Sequence, residues 1–126
     1  MTSDFIMYEE ESWPQTFKYQ TAAGAGIPLT GLTNIYFVAS EDGTTVAFMK
    51  TYSPVAGVTI ASNQTTNPGE FTVTISGEDT EGMGGRTLSY EIKYVDGSDV
   101  ARVIYPSPNT TATFQVMPSL TAELPT

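Results

Sequence analysis

The side chains in this sequence that could do chemistry are nearly all carboxylates: 14 Asp and Glu stand against 5 Lys and Arg, with no histidine and no cysteine. Without imidazole or thiol, the common transition-metal ligand sets, the usual general base and both familiar nucleophile pairings are missing. Carboxylate chemistry remains, and a glycosidase would need two acids facing each other across a cleft. Glu41, Asp42, Glu78, Asp79, Glu81, Asp96 and Asp99 fall instead in turn-like stretches, where acids serve solvation and turn geometry. The chain therefore reads as a non-enzyme, with no catalytic residue, no cofactor and no resident metal. Asp96, Ser98 and Asp99 could present oxygens to calcium at close spacing. The twelve-residue binding loop is absent, however, and Asp96-Gly97 reads as a hairpin turn. Gly82-Met83-Gly84-Gly85-Arg86 has the glycines of a phosphate cradle without its lysine or its strand-to-helix setting, and reads as a loop.

The net charge of −9 opposes nucleic acids and anionic membranes. The bases Lys18, Lys50, Arg86, Lys93 and Arg102 are dispersed, so neither class of partner is expected. Glu9, Glu10 and Glu11 form the one acidic run, a solvated segment or a dock for a basic partner. The beginning of the chain has no basic region followed by an apolar run, and no stretch approaches the ~18 apolar residues of a membrane span. The expectation is synthesis in a cytoplasm, with the sequons at Asn63 and Asn109 acting as turns.

The elements that must position these groups are strands. With 126 residues, 11 glycines, 8 prolines and 11% aromatics, the composition is that of short strands and tight turns in one domain. Phe71, Val73 and Ile75 alternate with Thr72, Thr74 and Ser76, and Leu88, Tyr90, Ile92 and Tyr94 alternate with Ser89, Glu91 and Lys93. Each pattern buries one face. Thr33 to Ala39 and Val46 to Tyr52 form a hairpin around Glu41 to Thr44; Val58 to Ala61, Val100 to Tyr105 and Ala112 to Val116 are further strands. Roughly seven to nine strands predict an all-β, antiparallel two-sheet sandwich, the immunoglobulin-like arrangement being a common form. Residues 1–28 are expected as an N-terminal arm with the first strands, partly flexible, 29–117 as the sandwich, and 118–126 as a flexible tail.

Two features fit binding to other proteins. Trp13 is either a core or edge tryptophan covering the sandwich or an anchor that inserts into a partner. Phe5, Ile6, Met7 and Tyr8 form an apolar segment outside the main pattern, able to add a strand to a neighbour's sheet edge. A carbohydrate-binding or adhesin module is the alternative of another class, with Trp13, Tyr36, Tyr52 or Tyr94 stacking on sugar faces.

The run GEDTEGMGGRTLSYEIKYVDG from Gly77 to Gly97, with the strand Phe71 to Ile75 before it and Phe114 to Val116 closing, resembles a module of tailed-bacteriophage structural proteins, notably the N-terminal domain of baseplate upper proteins. Leu29-Thr30-Gly31-Leu32-Thr33 leading into Ile35 to Val38 also suits that pattern, and the resemblance covers about two thirds of the chain. Pro106-Ser107-Pro108 departs from it, and the larger members continue into receptor-binding or fibre domains. The resemblance implies a virion structural protein that docks on other virion proteins at the tail, baseplate, collar or fibre attachment. Capsid decoration is the alternative location. It also implies several copies in symmetric arrangement.

Overall fold

Strands form where β-branched and aromatic residues alternate with polar ones, and glycine, asparagine or aspartate closes most of the turns between them. The computed structural model describes residues 5–21, 23–53, 56–105 and 112–118. Among these lie nine strands and no helix: β1 (Phe5–Tyr8), β2 (Trp13–Lys18), β3 (Asn34–Ser40), β4 (Val46–Thr51), β5 (Val58–Ile60), β6 (Glu70–Ile75), β7 (Arg86–Val95), β8 (Ala101–Tyr105) and β9 (Thr113–Met117). They build a two-sheet sandwich. The larger sheet runs β1-β9-β7-β3-β4 with β8 also paired to β7, and the smaller runs β2-β6-β5.

β7 spans 10 residues and hosts two partners along one edge. Its first part, Arg86 to Ser89, pairs with β9, and its second, Ile92 to Val95, pairs with β8. All pairings are antiparallel except that of β1, which lies parallel to β9 with Phe5 opposite Phe114 and Tyr8 opposite Met117.

The alternation read from the sequence places Phe71, Val73 and Ile75 of β6 in the core against Ile35, Phe37, Leu88, Tyr90, Ile92, Phe114 and Val116 of the larger sheet. Phe17 on β2 spans the layers, with its ring centroid 6.3 Å from Phe37 and 6.0 Å from Tyr90. Each fully buried side chain of this size contributes about 1.5–3 kcal/mol. Polar side chains fasten the connections. Asn34 Oδ1 accepts from the backbone N–H groups of Ile35, Tyr52 and Ser53. Gln64 Oε1 accepts from those of Leu29 and Gly69 while its Nε2 donates to Ala61 O, so the Asn63 to Gly69 loop, although mostly exposed, is tied to the buried Leu29.

The first 28 residues supply one strand to each sheet, and β1 and β2 are built into the core through Phe5, Met7 and Phe17. Trp13 and Pro14, which give no strand signal, begin β2. Proline is accommodated because β2 is an edge strand that bonds only to β6. The expectations for the start of the chain before Phe5, for Pro106-Ser107-Pro108, for the Asn109 sequon and for the tail beyond Pro118 lie outside the described residues.

Candidate functional site

Three of the turn aspartates accept from the backbone. Asp42 Oδ1 accepts from Thr45 N at 2.7 Å, Thr44 N at 2.9 Å and the Ser40 hydroxyl at 3.0 Å, and these donors hold its carboxyl well below the usual carboxylate range. Asp96 Oδ1 accepts from Ser98 N and Val100 N, so the group considered for calcium forms a hairpin turn. Asp79 Oδ2 accepts from the Ser76 N–H and hydroxyl and pairs with Lys50, closing the side of the sandwich between β4 and β6. Gly57, at φ +97°, makes room for that lysine: a Cβ there would lie 2.6 Å from Lys50 Cδ. Glu9 Oε2 accepts from Gly84 N, so one member of the acidic run holds down the glycine-rich loop. An open hollow of about 580 Å³ is walled by Glu10, Ser76, Gly77, Glu78 and Glu81, and its three carboxylates are exposed to solvent.

The residues expected to bind partners divide between the two faces of the larger sheet and the edge of the smaller one. Phe5 and Met7 point into the core at 8% and 0% exposure, while Ile6 and Tyr8 are about half exposed at 52% and 50%. β1 adds to the edge of its own sheet. Trp13 is half-buried against the core, and its indole N–H has no acceptor among the described residues. The aromatics weighed for sugar stacking are not brought together. Trp13, Tyr52 and Tyr94 pack against the core cluster, the last with its ring 5.0 Å from Tyr19, whereas Tyr36 points to the opposite face of the larger sheet. Burial and the neighbouring Tyr19 and Asp96 push the Tyr94 hydroxyl above its ordinary range.

The outer face of the larger sheet is the most distinctive surface among the described residues. Strand register aligns Val103, Lys93, Tyr36 and Thr51 in one row across β8, β7, β3 and β4. The next row holds Glu91, Val38 and Met49, and the one after it Thr113, Ser89, Ser40 and Val46. Val46, Met49 and Val103 are large apolar side chains about half exposed. Between this face and the Ser40 to Val46 turn lies a depression of about 300 Å³, lined in part by Val38, Ser89 and Glu91. Asp42 ties this turn together by accepting from the backbone amides of Thr44 and Thr45.

Ile6, Tyr8 and Tyr36, which the sequence offered as binding residues, lie on this face, but the surface assembled across β8, β7, β3 and β4 was not read as a site. The signal was present in β3, where Ile35 to Ala39 is apolar in both phases, a pattern of strands covered on both faces. In isolation it reads only as a strong strand. No family model matches the chain, and no curated protein matches it.

Proposed function

We propose that this chain is a structural assembly protein, a bacteriophage virion component that docks on other virion proteins at the tail, baseplate, collar or fibre attachment. The observation that carries the docking role is the outer face of the larger sheet, where Val46, Met49 and Val103 stand exposed in adjoining rows. Met49 and Val46 adjoin Val38 and Tyr36 on β4 and β3, with Val103 at the far side of β7, and exposed apolar side chains gathered on a sheet face mark protein interaction sites. The virion assignment rests on the resemblance of Gly77 to Gly97 and the strands around it. The strand order also supports an immunoglobulin-like reading of the sandwich: β1-β9-β7-β3-β4 faces β2-β6-β5, and its first strand is parallel to its last.

The test is compositional. Purified virus particles from cells carrying the gene are expected to contain the protein, and its absence from their mass-spectrometric inventory removes the virion reading. Copy number then locates it, tens or fewer per particle for a tail or baseplate position and hundreds for capsid decoration, on the order that particle symmetry sets. Met49→Asp is expected to abolish incorporation while leaving the fold intact, because Met49 is 49% exposed.

A further inference from the structure

We propose that the outer face of the larger sheet is a two-fold interface between copies of this chain, in which Glu91 of each copy meets Lys93 of the other. The proposal rests on the docking reading of this face and names its occupant.

Charge restricts what can approach. Each copy carries −9, so two copies repel wherever their acidic surfaces meet. On the outer face, register places one acid, Glu91, and one base, Lys93, among the described residues of the strands; the rest are apolar, hydroxyl or amide side chains. This face is locally neutral in an acidic protein, and interface cores are depleted of charge in the same way.

The two charges are also self-complementary. Neither forms an ion pair among the described residues. They lie two residues apart on β7, pointing the same way, about 7 Å along the strand. A two-fold axis in the interface plane, perpendicular to β7 at the level of Ile92, brings Glu91 of one copy over Lys93 of the other, twice. An axis along the strands would set Glu91 on Glu91 instead. The charge pattern thus favours the axis perpendicular to β7 over one running along it. In the favoured arrangement the row of Val38 and Met49 covers the partner's row of Tyr36 and Thr51, burying apolar side chains around the central ion pairs.

About this axis β1 and most of β9, which lie alongside Arg86 to Ser89, rotate past the end of the partner's β7, so the facing surface comes from β7, β3 and the adjoining parts of β8 and β4, on the order of 350 Å² by strand spacing and rise. An interface of that size falls in the class of weak, transient contacts, so dissociation on the order of tens of micromolar is expected.

Sedimentation equilibrium of the full chain from about 1 to 200 μM spans that range. A reversible monomer–dimer equilibrium is expected. Glu91→Lys and Lys93→Glu are each expected to weaken it about tenfold or more, because like charges then face each other. The double variant E91K/K93E restores the pattern and is expected to return within about threefold of the parent. Met49→Asp, on an exposed residue, is expected to be monomeric, and circular dichroism checks the fold of each variant. The proposal is overturned by a chain that stays monomeric throughout, by a dimer indifferent to both single reversals, or by a double variant as weak as the singles. A monomeric chain whose Met49→Asp variant still fails to enter particles overturns the two-fold interface alone and leaves the docking role standing. A dimer with the expected charge dependence, absent from particles, supports the interface and removes only the virion reading.

Discussion

Asn34 sits at 6% exposure with its amide spent on three backbone N–H groups and on Ser53 O, to which its Nδ2 donates at 2.6 Å. Removing that acceptor strands buried donors, and Asn34→Ala is expected to destabilise the fold by about 2–4 kcal/mol in urea unfolding. Trp13 presents the reverse case, a buried indole N–H without an acceptor among the described residues. Trp13→Phe keeps the apolar ring, removes the unpaired donor and is expected to change stability by less than about 1 kcal/mol. A large loss of particle incorporation with unchanged stability would identify Trp13 as a partner anchor after all. Asp42 brings a pH dependence. Its folded carboxyl is depressed below the ordinary value of 3.8, so its contribution is present above that pH and is lost as pH falls toward the folded value. The stability gap between the parent and Asp42→Asn is therefore expected to be constant near neutrality and to shrink below about pH 4 in parallel denaturation curves. The Asp42 turn was legible, because Glu-Asp-Gly-Thr is a local signal. The roles of Asn34 and Gln64 were not, since their partners lie 19 and 35 residues away and nothing in a single sequence marks which polar residue will be enclosed.

At the level of elements, β6 and β7 could be read directly because each buries one phase of a clean alternation. β1, at Phe5 to Tyr8, was legible as a strand-forming segment, but its partner was not, and neither was the course of β2 from Trp13. Each is short, and each is defined by a partner far along the chain: β1 by β9 and β2 by β6. The N-terminal segment is half core and half surface, with Phe5 stacked 4.8 Å from Phe114 and Met7 fully buried. Met7→Ala is expected to cost about 2–5 kcal/mol by thermal or urea unfolding. Ile6→Ala, on the exposed phase of the same strand, should cost little stability. Its effect, if any, belongs to assembly.

For the whole molecule, one core is shared by both sheets, and four of the seven strand pairings, β1 with β9, β2 with β6, β3 with β7 and β7 with β9, join strands that are not neighbours in sequence. Such non-local pairing predicts a single cooperative unfolding transition and refolding in milliseconds to seconds. The lone Trp13 packs against that core, so its fluorescence in stopped-flow mixing reports the step directly. A separate early phase for β1 or β2 would contradict the single core. The parallel pairing of β1 with β9 has a mechanical consequence as well. The backbone enters this pair at Phe5 and leaves it at Met117, at opposite ends of one ladder. Tension applied there slides the two strands lengthwise and loads their hydrogen bonds together, whereas an antiparallel pair gripped at one end peels open bond by bond. A domain strung between two heavier bodies in this way resists pulling as a shear joint, and the strands that would have to slip are those whose side chains interlock at Phe5, Met7, Phe114 and Val116.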